Sequence, residues 1–405
     1  MATRLADHPD PGPRSALRRA PAELRFVFAV ARMAVGRGGP QELVVAAGQV
    51  ADWDVALRGL AQHGLTGLAA PILKRERMTP PEVQPVLLAH ENAHQIAVLM
   101  RIREAIRIIR ALEAQQIRYL VIKGVPLSIQ LHGDPASRGG RDIDIWVEPG
   151  RMTEAEAILA ELGYVLPIHA MRGAPTDAAT PKESGWVHAE TRILVELHDR
   201  LTENRALLPW DFDALWETRE TVLIGGQPVP TMARGRLPVY LAVHGAKHGW
   251  QRLMWLADMA ALLDGRASFD SALADAGANG LDGMMLHVFW VLRHWLGVPV
   301  PEDLLARASR RIDTRLLNLL AARFHGGRGW YQDAPRNSMA RLLAGSLWSR
   351  AITWLMRPSA RYWGQQMAWE LDSPADRAFF ALPSGAAWLY PVLRPFGWAI
   401  RRLRR

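Results

Sequence analysis

From Glu23 to about Ala114 the apolar residues recur three and four positions apart: Leu57, Leu60, Ala61 and Leu65, then Ile102, Ile106, Ile109 and Leu112. That period places them on one face of a helix. Pro80, Pro81 and Pro85 punctuate a loop, and a long helix is predicted from about Val86 to Ala114. Arg101, Arg103, Arg107 and Arg110 interleave with its apolar positions and read as a solvated face. At Ile117 the pattern changes. Tyr119-Leu120-Val121-Ile122 is a continuous, β-rich apolar run ending at Lys123-Gly124, which predicts a buried strand. A short helix over Val125–Leu131 should stop at Gly133-Asp134-Pro135, followed by an arginine- and glycine-rich loop from Ser137 to Arg141. Asp142-Ile143-Asp144-Ile145-Trp146-Val147 alternates strictly, the period of a strand. Met152–Leu162 predicts a helix stopped by Gly163, and Tyr164–Ile168 a third strand. Residues 169–184 read as a polar loop. Trp186–His188 and Ile193–His198 read as a hairpin closed near Glu190-Thr191-Arg192. Gly225-Gly226-Gln227 marks another turn between short strands. From Leu237 the helical period returns, over about 238–249, 251–263 and several helices to about 325.

This order of elements predicts an α+β protein: a short mixed sheet with helices on it, flanked by helical N- and C-terminal regions. The expected divisions are a disordered tail at 1–20, a helical domain at 21–114, the α/β core at 115–235, a second helical domain at 236–330 and a tryptophan- and arginine-rich helical region at 331–405. Residues 330–405 hold seven of the 16 tryptophans. Between Trp388 and Arg405, four aromatic residues (Trp388, Tyr390, Phe396, Trp398) are mixed with five arginines. Pro391 and Pro395 argue against a long amphipathic helix there. Packing against the helical region is expected, with peripheral membrane contact as the alternative.

Composition narrows the chemistry. The 405 residues contain no cysteine, so disulfides and thiolate metal sites are excluded and a metal must sit on oxygen or imidazole ligands. The net charge is +9, but only four of the 49 basic residues are lysines. With abundant Ala, Gly and Pro, that arginine bias follows from a GC-rich genome as readily as from a nucleic-acid partner. Nucleic acid is therefore not expected, while a basic protein still suits a phosphate-rich substrate. No stretch reaches about 18 uninterrupted apolar residues, and the first 20 carry no apolar run of signal-sequence length. The expectation is a cytoplasmic protein without a transmembrane segment.

Asp142 and Asp144 stand two apart in a strand, so they point to one face. Paired carboxylates repel, and a hard divalent cation turns that cost into a ligand set; an exposed edge-strand face is the plainer alternative. Lys123-Gly124 ends a strand and opens a helix. There glycine lets the backbone approach a phosphate, the helix N-terminus offers free N–H groups, and Lys123 counters the charge. Ser128 is placed on the inner face of that helix. Glu196 and His198 share one face of their strand. If it pairs beside the Asp142 strand, Glu196 completes a three-carboxylate cluster of the kind used in metal-assisted phosphoryl transfer. Arg138 and Arg141 either bind phosphate bidentately or neutralise Asp142. His244 and His248 share a helix face as structural residues or as contacts near the site.

Taken together, Lys123-Gly124, Arg138, Asp142-Ile143-Asp144, Glu196-Leu197-His198 and the downstream His244-Gly-Ala-Lys-His248 with Trp255 and Asp258 resemble a family of bacterial nucleotidyltransferase-like proteins. That family belongs to the DNA polymerase β-like nucleotidyltransferase superfamily. The resemblance covers roughly residues 25–300. It implies a minimal nucleotidyltransferase core, with Asp142, Asp144 and Glu196 as metal ligands and catalytic residues. It further implies that Gly124 helps cradle the triphosphate; beside it Lys123, Ser128, Arg138 and Arg141 are the candidate nucleotide contacts, and His198, His244 and His248 the candidates for a layer behind them. The implied cofactor is Mg²⁺ (or Mn²⁺). The implied reaction moves a nucleoside monophosphate from an NTP to an acceptor such as a peptide or a sugar. A non-catalytic ligand-binding protein on this fold and a toxin-like transferase acting on tRNA or protein are the alternatives.

Overall fold

The alternation of Asp142–Val147 is realised as a strand that sorts its residues between two environments. In the computed structural model, which describes residues 20–166, 183–326, 350–371, 377 and 379–403, this strand is β2. Around it lie β1 (Tyr119–Val121), β3 (Tyr164–Val165), β4 (Glu183–His188) and β5 (Leu194–His198), in the order β1-β2-β5-β4-β3. β2 runs parallel to β5, and the other pairings are antiparallel. Ile143, Ile145 and Val147 pack into a core with Tyr119 and Val121 of β1, Val195 and Leu197 of β5, and Ile108, Ile109 and Leu112 of the helix Gln84–Ala114. Each such side chain contributes about 1.5–3 kcal/mol of apolar burial. The intervening residues, Asp142, Asp144 and Trp146, take the opposite face. Trp146 is buried there edge-on to Phe212, ring centroids 5.3 Å apart.

The expected fold class is therefore what the chain adopts: a mixed sheet with helices and helical flanks. The hairpin of β4 and β5 also forms, with β4 starting at Glu183 rather than Trp186. The predicted tail lies outside the described residues except for Ala20. So do Pro167 and Ile168 of the third strand, and the expected polar loop up to residue 182. Gly225 and Gly226, with φ of 56° and 82°, turn β6 (Glu220–Ile224) back on β7 (Gln227–Thr231). Positive φ at both central residues is the hairpin geometry that glycine adopts without strain.

The expectation for the C-terminus needs correction: an amphipathic helix does form, over Tyr390–Leu403. Pro391 sits in its first turn, where a missing N–H costs nothing, and Pro395 forgoes a single ladder bond. The solvated-face reading of the arginines on Gln84–Ala114 holds for the exposed Arg103 and Arg110 but not for Arg107. That guanidinium donates to Glu104 and to the carbonyl of Leu162. Among the described residues no helix is long and apolar enough to cross a membrane.

The chain divides into two compact units. One holds the sheet: Gln95–Ala136, Gly140–Leu237 and residues from Arg357 on. The other is helical and comprises residues up to His94, Ser137–Gly139 and Pro238–Met356. In the helical unit Gly245, in the helix Leu237–Lys247, lies against the Trp250 ring, so a β-carbon there would come within 2.2 Å of it. Trp250 is fully buried and its indole N–H donates to His287 Nε2 at 3.0 Å. His287 Nδ1 meets Asn318 Oδ1 at 2.7 Å, so the ring accepts on one side, donates on the other and is neutral. Burial lowers the His287 pKa to about 4, against the bond to Asn318. The unfolded chain takes up this proton near pH 6.5 and the folded chain near 4. Stability from this group is therefore complete above pH 6.5 and is lost as the pH falls towards 4. Between about pH 7 and about pH 4.5 the wild type should lose about 2–3 kcal/mol more than His287→Asn in urea unfolding. Parallel pH profiles for the two proteins would refute this.

Candidate functional site

The sheet face opposite the core gathers the polar residues. In the parallel register of β2 and β5, Asp144 stands opposite Glu196 and Trp146 opposite His198. In the antiparallel register of β4 and β5, Glu183 stands opposite His198 and Gly185 opposite Glu196. Alternation then puts Asp144, Glu196, His198 and Glu183 on one face. Asp144, Glu196 and His198 each offer a ligand atom, and these atoms lie within 4.8 Å of one another.

Asp144 is the centre of this group and is almost fully buried. Its Oδ1 receives Lys123 Nζ at 2.8 Å and lies 3.1 Å from His198 Nε2. Burial by itself raises the Asp144 pKa, but the Lys123 charge and the His198 contact outweigh it and hold the carboxyl well below the usual carboxylate range. The aspartate is therefore ionised. Its other oxygen, Oδ2, is buried and has no hydrogen-bond partner. A buried carboxylate oxygen left unsatisfied is costly, and a divalent cation is the species that satisfies one flanked by a second carboxylate and an imidazole. The donor set thus fits a metal ion, with oxygen and nitrogen ligands only, as the absence of cysteine requires.

Lys123 and Gly124 follow β1, and the chain is held there by the Ile122 N–H donating to Asp144 O at 3.1 Å. Gly124 has φ 70° and ψ −131° and precedes the helix Val125–His132, with Pro126 in its first turn. That backbone conformation is open to glycine and strained for other residues. The helix start lies directly after it; Pro126 has no N–H to offer and the Ser128 N–H donates to Gly124 O at 3.1 Å, which leaves Val125 and Leu127 as the N–H groups of the first turn outside the helix ladder. Ser128 is fully buried on this helix, and its hydroxyl donates to the Asp134 carbonyl at 2.7 Å. Asp142 shares the Asp144 face at the half-exposed start of β2. It attracts Arg101, offsetting part of the lowering that burial imposes on that guanidinium's pKa.

The other expected site residues have the following surroundings. Arg138 lies in the helical unit, and its Nε donates to Asp258 Oδ2 at 2.8 Å, both side chains being buried. Arg141 is exposed. His244 and His248 also belong to the helical unit; their rings are 4.9 Å apart and lie 5.1 and 5.4 Å from Trp255. Two residues near the carboxylates escaped the sequence reading. Glu183 Oε2 is 3.3 Å from His198 Nδ1, and Arg101 faces Asp142 from the long helix. Glu183 lay in a segment read as loop, and no local spacing links Arg101 to residue 142.

An uncharacterised nucleotidyltransferase family matches residues 49–297, more than half of the chain. The chain belongs to this family. A nucleotidyltransferase family places it among transferases, and the matched span includes the whole Asp144–Glu196–His198 cluster and the Lys123-Gly124 turn. No curated protein matches the chain.

Proposed function

We propose that the protein transfers a nucleoside monophosphate from an NTP to an acceptor, with a divalent cation, Mg²⁺ or Mn²⁺, held at Asp144 and Glu196. The observation that carries this reading is the register that sets Asp144 beside Glu196 while leaving one buried Asp144 oxygen unsatisfied. Asp142, on the same face, extends the carboxylate set. When bound, the cation would neutralise triphosphate charge and favour in-line attack on the α-phosphorus. Around it the chain positions the substrate. The turn at Gly124 brings backbone N–H groups and the helix start to the phosphates, and Lys123 adds positive charge beside them. His198, set between Asp144 and Glu183, fixes the Asp144 carboxylate in place. Glu196, the more exposed of the two opposed carboxylates, is suited to receive the acceptor's proton. A small molecule, a peptide or a sugar is the acceptor class that suits a basic protein without a nucleic-acid signature.

The test is incubation of the full chain with α-labelled NTPs, Mg²⁺ or Mn²⁺ and cell extract. Label should appear in a nuclease-resistant product, and Glu196→Gln should reduce its rate by at least about a hundredfold, the scale for losing a positioned acid–base group. Absence of label from the wild type, with NTP–Mn²⁺ binding unaffected by Asp144→Asn, would leave only a binding protein.

A further inference from the structure

The C-terminal helix Tyr390–Leu403 turns its inward face by burying Tyr390 and Gly397. Among the described residues of this helix, the exposed side chains are apolar. Trp388, just before the helix, and Val392 and Phe396 within it are spaced by four and are 71%, 60% and 62% exposed. The helix Ala360–Leu371 touches it and repeats the arrangement. There Tyr362 and Gln366 are buried, while Met367 and Leu371, again four apart, stand in solvent. Exposed apolar residues at helical spacing on two touching helices are the kind of exposure that marks a contact surface.

Charge identifies what the surface fits. After Asp376 the sequence contains no acidic residue, and it carries six arginines: Arg377, Arg394, Arg401, Arg402, Arg404 and Arg405. A protein partner or a second copy would ordinarily bring both signs of charge; the sequence from Arg377 on offers one, and the neighbouring helix adds Glu370, which is bonded to Gln366. A helix of 14 residues is about 21 Å long, short of the roughly 30 Å hydrocarbon core of a bilayer. An apolar stripe with tryptophan at its start, ending in an arginine run, suits the plane of a membrane interface. We propose that this face docks the protein on an anionic lipid surface, with Trp388, Val392 and Phe396 entering the headgroup region and the arginines meeting lipid phosphates. The proposal is independent of the transfer reaction.

The full chain should co-sediment with phosphatidylglycerol–phosphatidylcholine vesicles, not with phosphatidylcholine alone, and added salt should weaken binding. Arg401→Gln with Arg402→Gln should weaken partitioning by about thirtyfold, from the electrostatic worth of each arginine near a charged surface. Trp388→Glu with Phe396→Glu should weaken it by at least about tenfold, since two large apolar groups no longer bury. Thermal unfolding should not change in the apolar variant, because Trp388 and Phe396 stand mostly in solvent. If that variant fails to fold, the arginine pair decides alone. Equal binding to neutral vesicles, or variants that bind as the wild type does, would overturn the proposal. So would a lipid-insensitive dimer that the apolar variant dissociates, or binding to RNA in place of vesicles.

Discussion

Asp144→Asn should reduce nucleotide transfer by at least about 10³-fold, the rate equivalent of losing several kcal/mol of metal-dependent charge stabilisation. It should also destabilise the fold, and the two effects separate. Lys123 and Asp144 form a buried ion pair at 2.8 Å, the side chains 11% and 1% exposed. Neutralising Asp144 leaves the ammonium beside a group that no longer compensates it. Removing one partner of such a pair costs about 3–5 kcal/mol, whereas replacing both with neutral groups is close to neutral. The double variant Lys123→Met/Asp144→Asn should therefore recover most of the urea stability lost by Asp144→Asn, yet still fail to bind Mn²⁺ and still fail to transfer. If Asp144→Asn transfers nucleotide within about tenfold of the wild type, Asp144 does not hold the cation. If the double variant recovers activity along with stability, the single variant's defect was one of folding.

The same pair shows what was legible in the chain and what was not. The strand alternation of residues 142–147 and 193–198 identified which residues share a face, because side-chain direction in a strand follows from backbone period alone. That was enough to select Asp144 and Glu196 before their pairing was known. The partners of Asp144 depend on register, and register is set by hairpin closure and by burial of the alternate residues. Ile145 and Leu197 go into the core opposite each other, and this brings Glu196 to Asp144. The same constraint brings Glu183 to His198 across β4, a neighbour that no spacing along the chain announces. Lys123, whose sequence position suits it to counter phosphate, pairs with Asp144. Both tasks use one ammonium, and in the folded chain it lies 2.8 Å from the Asp144 carboxylate. For the arginines of the long helix, period marks a polar face correctly without telling which positions meet another element. Arg103 and Arg110 reach solvent, while Arg107 meets Glu104 and the Leu162 carbonyl.

Arg138 is the case in which position along the chain leaves two readings open. It stands four residues before Asp142, a place that suits a phosphate ligand or a neutraliser of that aspartate. Its described contacts lie within the helical unit, to which Ser137–Gly139 belong. Gly139 N donates to Gly64 O at 3.0 Å, and a β-carbon on Gly139 would come within 2.8 Å of Gly64 Cα. The guanidinium is thereby held on Asp258, with side-chain exposures of 4% and 1%. A charge so enclosed is costly without its counter-ion, so Arg138→Met should lower stability by about 3–5 kcal/mol, and Asp258→Leu by a similar amount. The double variant should return to within about 1–2 kcal/mol of the wild type, since a neutral, well-filled pair no longer carries a desolvated charge. Coupling between the two substitutions in urea unfolding is the quantity to measure. A phosphate-binding Arg138 would behave otherwise: Arg138→Met would raise the KM for NTP while leaving the unfolding midpoint where it was, and Asp258→Leu would not compensate for it. The geometry predicts the first pattern, in which the buried Arg138–Asp258 pair holds Ser137–Gly139 within the helical unit.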